Sequence, residues 1–332
     1  MDSFSNIAGH NNAKKLLCSA LKNQKIAQGY LFIGVEKLGK FLLAKEFAKS
    51  LSCLNGSPGN SCGICPKCSR IENETDPDVL FINSAKNRIL DKEGEVSKVI
   101  PVEEIRTLQH HLSLFPYDSK YKIAVIDEAH KLTEQAINAF LKTLEEPKGN
   151  SVIILVADNS KFLLKTLISR MQVIRFWPLK DEVVESFLIN RGTVAQKAKD
   201  ISAISAGKPG LATDFAKNEQ KIIDYRTNEE IFWKFFASNL SEKIIFLENL
   251  LKKEENIKDV LQFWLLCLRK KILEKCLSGD YESSNQNNEC GLKKITEFVN
   301  NLIAILNLIN NSNINKRLAL ENLALETCTV RN

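Results

Sequence analysis

YLFIGVEKLGKFLLAKEF, Tyr30 to Phe47, is the stretch on which the fold turns. Its first four residues are apolar or aromatic and uncharged, like a buried strand, and FLLAKEFAKSL after it spaces apolar residues as a helix does. Between them GVEKLGK puts glycines at 34 and 39 and a lysine at 40, the spacing of the phosphate-binding loop G-x-x-x-x-G-K-[ST]. In such a loop backbone amides and the next helix's N-terminus cradle phosphates, and the lysine reaches the terminal ones. The last residue lends a hydroxyl oxygen to Mg²⁺. Here it is Phe41, which has no ligand atom and is expected to put a bulky ring where the metal and its waters would crowd. Lys40 keeps its attraction for phosphate, but metal-dependent hydrolysis is not expected. A glycine-rich turn without a ligand is the plainer alternative, opposed by the strand before it and the helix after it.

Outward from this loop the pattern repeats. DVLFI (78–82), KIAVID (122–127), SVIILVA (151–157) and QVIRF (172–176) read as further strands. VEEIRTLQHHLSLF (102–115) and EQAINAFLKTLEE (134–146) read as helices, with Pro101 just before one and Pro147 just past the other. Apolar runs alternating with helices predict an α/β fold whose parallel sheet is covered on both faces. After WPL (177–179) the chain becomes all-helical: DEVVESFLINR and AQKAKDISAIS, ending at GKPG (207–210), then longer patterns from about Leu211. SGDYESSNQNNEC (278–290) reads as a flexible loop.

The 332 residues suffice for two or three domains, and 44% hydrophobic with 26% charged residues is ordinary for a globular protein. A net charge of +6 is compatible with a nucleic-acid partner but equally with a solvated basic surface. MDSFSNIAGHNN has neither the basic nor the apolar region of a signal peptide, and no apolar run approaches a bilayer span. Nine cysteines in such a chain point to reduced thiols and a metal site, and to a cytoplasmic location without membrane association.

Asp127 and Glu128 end the strand KIAVID roughly ninety residues after the glycine-rich loop, where Walker B acids would hold Mg²⁺ and orient water. An acidic pair capping the next helix is the alternative. Cys53, Cys62, Cys65 and Cys68 form C-x8-C-x2-C-x2-C, a spacing suited to tetrahedral zinc. A redox pair would leave two cysteines without a role, and an iron–sulfur cluster lacks its C-x3-C-P extension. Four thiolates leave no open coordination position, so the zinc is expected to be structural. Lys67 and Arg70 nearby raise the option of a nucleic-acid grip, on thin grounds.

The loop, the four cysteines, IDEAHKLTEQAINAFLKTLEEP and LLKTLISRMQVIRF, in this order, resemble the AAA+ subunits of the bacterial DNA polymerase III clamp loader. QAINAFLKTLEEP is similar to that family's NALLKTLEEP helix, and LLKTLISRMQVIRF to its LLPTI-x-SRCQ-x-x-x-F segment. Residues 5 to 212 carry most of the resemblance, and INKRLALENLALE (314–326) weakly resembles the end of the family's helical collar. The resemblance implies an AAA+ RecA-like domain over 1–176 with a zinc module at 53–68. A small helical lid over 177–212 and an all-α collar over 213–332 would complete the chain.

Within that family the gamma/tau motor keeps GK[ST] and a sensor-2 arginine in G-x-P-G-R-A. Here Phe41 replaces the hydroxyl and Leu211 the arginine, while Arg170 of the SR pair is intact. In the family that arginine acts as a finger in a neighbour's ATP site; an ordinary solvated arginine is the alternative. The chain therefore resembles the non-hydrolysing delta prime branch, with Gly34, Gly39, Lys40, Asp127 and Glu128 as a relic nucleotide site that does not bind ATP. The implied partners are gamma/tau and delta subunits, with sliding clamp and primer–template DNA reached through the complex. A gamma-like motor with an unorthodox loop is the second reading, disfavoured also by the lack of a long tau-type tail. A zinc-dependent nucleic-acid module is the third, and leaves the LKTLEEP and SR segments unexplained. Met171 for the family's Cys matters little, whereas Lys165 for its Pro is expected to loosen the loop that aims Arg170.

Overall fold

A computed structural model of the chain describes residues 4–84, 88–90, 96–145, 149–158, 163–252, 257–277, 292–310 and 316–326. Pro147, the segment 278–290, Cys290 and Cys328 lie outside the described residues. The chain divides into two compact units, 1–216 and 217–332.

The first unit begins with α1 (Asn11–Lys22), β1 (Gly29–Ile33), α2 (Lys40–Ser52), α3 (Pro66–Glu72) and β2 (Val79–Ile82). A two-stranded antiparallel ribbon follows, β3 (Arg88–Leu90) with β4 (Val96–Lys98), then α4 (Val102–Ser113) and β5 (Lys122–Ile126). A short 3₁₀ turn (Ala129–Lys131) leads into α5 (Glu134–Glu145), β6 (Ser151–Ala157), α6 (Lys165–Ile168) and β7 (Gln172–Arg175). Three helices complete it: α7 (Asp181–Ile189), α8 (Ala195–Ile204) and α9 (Pro209–Lys217).

All five expected strands enter one parallel sheet, in the order β2-β5-β6-β1-β7. Alternate residues of each strand supply two separate apolar layers, as a sheet buried on both faces requires. Tyr30, Phe32, Ile123, Val125, Ile154 and Val156 face one way and meet Leu17, Leu43, Phe47 and Ile71 of α1, α2 and α3. Leu31, Ile33, Ala124, Ile126, Ile153 and Leu155 face the other and meet Ile105, Leu108, Ile137, Phe140 and Leu167 of α4, α5 and α6. Gly39 and Phe41 thus sit just past the carboxyl end of β1, the end of a parallel sheet at which ligand sites form.

Helix starts follow local chemistry. The Thr133 hydroxyl accepts the Ala136 N–H ahead of α5, and the Cys65 sulfur accepts the Cys68 N–H with Pro66 in the first helical position of α3. Sequence periodicity ended the short helices at GKPG, but Pro209 instead opens α9, because a helix's first position needs no N–H donor.

The second unit is helical: α10 (Glu219–Ala237), α11 (Leu240–Lys252), α12 (Ile257–Leu277), α13 (Leu292–Asn310) and α14 (Lys316–Glu326). Its core gathers Phe232, Phe235, Trp264, Leu268, Phe298, Leu302 and Leu320, with the Phe235 and Trp264 rings 4.6 Å apart. No helix among the described residues is long and apolar enough to cross a membrane.

Candidate functional site

Gly34 and Gly39 are both required by the backbone. A Cβ on Gly34 would lie 2.5 Å from the Phe176 carbonyl oxygen, so only glycine lets β1 leave the sheet this close to the end of β7. Gly39 caps α2 at φ +87°, the left-handed region that L side chains disfavour. Neither glycine needs a nucleotide to explain it.

Lys40 is 6% exposed, and its ammonium is fully engaged. It donates to the carbonyls of Gly34 (2.6 Å) and Val35 (2.7 Å) and to Asp158 Oδ1 (3.2 Å), using all three protons of an ammonium group. Asp158, just past β6, also stands 3.6 Å from His130 Nε2. Phe41 does not project into the loop's mouth; its ring packs edge-on against Phe81 of β2 at 6.0 Å, in the apolar layer that holds Phe47. The hydrophobic reward of that layer, rather than solvent, determines where the ring goes.

The rest of the loop is tied from two sides. Burial pushes the His10 imidazole down to about 4, against the hydrogen bond it makes to Leu38. It is therefore neutral at pH 7, and its Nε2 donates to the Leu38 carbonyl at 3.0 Å. On the other side the Gly210 N–H donates to the Lys37 carbonyl (2.9 Å), and Lys37 Nζ pairs with Asp214 of α9 (2.8 Å). Leu211 is half-buried on the first turn of α9.

Asp127 and Glu128 follow β5 as expected, but they are placed differently. Burial raises the Asp127 carboxyl above the ordinary range, opposed by the Glu128 N–H that it accepts and by Lys40, and reinforced by the charges of Glu128 and Asp158. Glu128 has a left-handed backbone (φ +53°). Its carboxylate is taken by the Ser84 hydroxyl and by Lys131 Nζ. Burial opposes its ionisation, but these two partners hold it below the ordinary range.

Cys53, Cys62, Cys65 and Cys68 converge so that their sulfurs all lie within 4.8 Å of one another. Cys53 and Cys65 sulfurs are 3.9 Å apart, and Cys62 and Cys68 sulfurs 4.0 Å. Four sulfurs about 2.3 Å from a tetrahedral zinc would be about 3.8 Å apart, so the donor set fits that ion. The N–H groups of Cys62, Cys65 and Cys68 each point at the sulfur of the preceding cysteine (3.3, 3.3 and 3.5 Å), an arrangement that favours thiolates.

Lys67 and Arg70 are not offered to a nucleic acid. Lys67 is 1% exposed, and its ammonium meets Asp78 Oδ2 (3.1 Å), Ser119 Oγ (2.5 Å) and the Asp118 carboxylate. Arg70 pairs with Asp76 (3.0 Å) and Asp118 (2.9 Å). Lys67 is spent inside the fold, because a buried cation needs partners; Arg70 is 36% exposed and is engaged at the surface by its two aspartates.

Arg170 follows α6 and is 39% exposed. Its guanidinium donates to the Thr166 carbonyl (2.9 Å) and to Glu145 Oε1 (3.0 Å). The SR and LKTLEE segments, far apart in sequence, are thus brought into contact. Asp158, Ser84 and Glu145 were not singled out in the sequence; an aspartate ending the run SVIILVA was the signal for the first.

A five-stranded parallel sheet in this order, a glycine-rich loop after β1, acids after β5 and a helical segment on the loop define an AAA+ type of domain. The family model described as DNA polymerase III, delta subunit, matches residues 9–180, just over half of the chain. The chain belongs to that family, and the resemblance to AAA+ clamp-loader subunits holds. It is 33% identical over 181 residues to DNA polymerase III subunit tau of Bacillus subtilis, covering 54% of this chain and 30% of that one. It is 30% identical over 206 residues to subunit delta' of the same organism, covering 62% and 59%. The matches thus span less than two thirds of either relative. A Thermotoga maritima gamma subunit-related structure aligns with 94% of this chain and 99% of its own at 19% identity and a TM-score of 0.46.

Proposed function

We propose that the chain is the non-hydrolysing, delta prime-type subunit of a DNA polymerase III clamp loader. Residues 1–176 form its AAA+ domain, 177–212 the lid and 213–332 the collar that assembles with gamma/tau and delta subunits. The complex sets the sliding clamp on primer–template DNA, and Arg170 reaches a neighbour's ATP. The observation that carries this is Phe41, which is committed to the apolar layer and leaves no oxygen where the loop's Mg²⁺ ligand belongs. Lys40, saturated by the loop's own carbonyls and Asp158, and Leu211 in the place of a sensor arginine support it. A gamma-like motor is the second reading, favoured by Asp127 at its strand end and by the 33% identity to a tau subunit.

Asp127→Asn separates the two. As the change is nearly isosteric, the assembled complex should keep the parent rate of ATP hydrolysis. A working Walker B aspartate holds the metal that stabilises phosphoryl transfer, so its own site would slow at least about tenfold and bulk turnover would fall by that site's share. The cysteines make a second prediction: the chain purified under reducing conditions should carry about one zinc. Cys65→Ser, which removes a thiolate donor while its hydroxyl can still cap α3, should lose it; a parent chain without zinc contradicts the assignment.

A further inference from the structure

The loop between α4 and β5 exposes large apolar side chains. Phe115 is 94% exposed, Tyr117 81% and Leu114 49%. A loop with such a tip is ordinarily loose, yet this one is bolted down at its base. The N–H groups of Tyr117 (2.7 Å) and Asp118 (3.1 Å) both donate to the buried Asp78 carboxylate. The Asp118 carboxylate reaches Lys67 Nζ and Arg70 Nη2, and the Ser119 hydroxyl meets Lys67 Nζ. Lys67 and Arg70 both belong to α3, which Cys65 caps and which contains Cys68. Every side-chain tie from α3 to the loop therefore starts on a helix whose first turn is two of the four candidate metal ligands.

We propose that the four-cysteine knuckle, with its metal bound, positions the 114–119 loop through Lys67 and Arg70, so that presentation of Leu114, Phe115 and Tyr117 depends on the metal. A helix of seven residues is too short to persist alone, so its stability comes from what holds its ends. The metal closes its N-terminal turn against Cys53 and Cys62, and the ammonium of Lys67 then stands at a defined point among Asp76, Asp78 and Asp118. Without the metal α3 loosens, and Lys67 and Arg70 no longer converge on Asp118. The knuckle is then more than a staple: it sets the shape of a surface element of the same unit. This rests on the zinc assignment, so metal content is measured in every sample.

The test is hydrogen exchange of the full chain, read at the amides of Tyr117 and Asp118. Three samples are compared: the zinc-bound chain, the chain stripped by a zinc chelator under reducing conditions, and Asp118→Ala with and without zinc. Stripping should speed exchange at 117 and 118 at least about tenfold while β1 and β6 stay protected. Asp118→Ala should retain its zinc, show the same fast exchange, and respond little to stripping, because the coupling it carries is already gone. Unchanged exchange at 117 and 118 after zinc is removed overturns the proposal. So does an Asp118→Ala chain whose loop stays protected. If stripping also exposes β1 and β6, the metal holds the whole unit and not this loop in particular, which overturns the proposal as well. A chain that takes up no zinc refutes the metal assignment and the coupling with it.

Discussion

Arg170→Ala should lower ATP turnover at the neighbouring site of the assembled complex about a thousandfold, the lower range for an arginine finger. Bulk turnover should fall by at least that site's share. A guanidinium in the proposed finger role would stabilise charge spread over the transferring phosphoryl group, and only in the transition state, so the loss would belong to kcat rather than to KM. The cost to folding is small. In this chain Arg170 is 39% exposed, and its pair with Glu145 is a surface pair, a kind worth about 0–1 kcal/mol. Arg170→Lys should recover little, because an ammonium cannot offer the planar fork of donors. Turnover of the complex at saturating ATP, clamp and primed DNA checks this, with a thermal melt of the variant as the folding control. Parental turnover in the Ala variant would remove the finger.

Asp78→Ala should destabilise the first unit by about 3–5 kcal/mol, the cost of removing one partner from a buried charge network. Its carboxylate is fully buried and accepts two backbone N–H groups, Lys67 Nζ at 3.1 Å and Lys122 Nζ at 3.0 Å. Burial alone would raise this carboxyl, but the N–H groups of Tyr117 and Asp118 and the ammoniums of Lys122 and Lys67 hold it far below the carboxylate range. A group whose folded value is depressed contributes stability that is complete above its unfolded value, about 3.9 for aspartate. That stability drains away as pH falls below about 3.9. Denaturant melts should therefore show a large gap between parent and Asp78→Ala at pH 7 that narrows steeply below about pH 4. A gap independent of pH would mean that Asp78 matters for packing and not for charge.

The sheet was legible because strands buried on both faces leave an unmistakable trace. YLFI, KIAVI and SVIILVA have almost no polar residue to alternate, and all five expected strands entered one sheet. The ribbon β3–β4 was not legible, since RIL and VSK are three residues each and too short to show a period. Nor was α1 legible: NNAKKLLCSALK carries apolar residues on one face, but only three of them are buried, too few to mark a helix by period.

At the candidate site, local spacing showed which residues were present and missed what they were paired with. The four cysteines lie within sixteen residues, and a tight loop brings them together. Lys67 and Arg70 looked available to a ligand because their shared partner Asp118, 48 residues beyond Arg70, is brought to them by the pairing of β2 with β5, while Asp76 and Asp78 lie close by in sequence. The same holds for Lys40 with Asp158, 118 residues away, and for Arg170 with Glu145, 25 away. Phe41 was rightly marked as lacking a ligand atom, but its ring was expected at the loop's mouth. The Phe81 ring, on a strand forty residues later, gave it a better place.

The most direct test of the proposed non-hydrolysing role is a titration of the purified protein with a fluorescent ATP analogue and Mg²⁺ to millimolar concentration. With Lys40 held by Gly34, Val35 and Asp158, and no hydroxyl at position 41, the predicted result is no saturable binding. Saturable binding at micromolar concentration that disappears in Lys40→Ala would contradict it and return the chain to the motors.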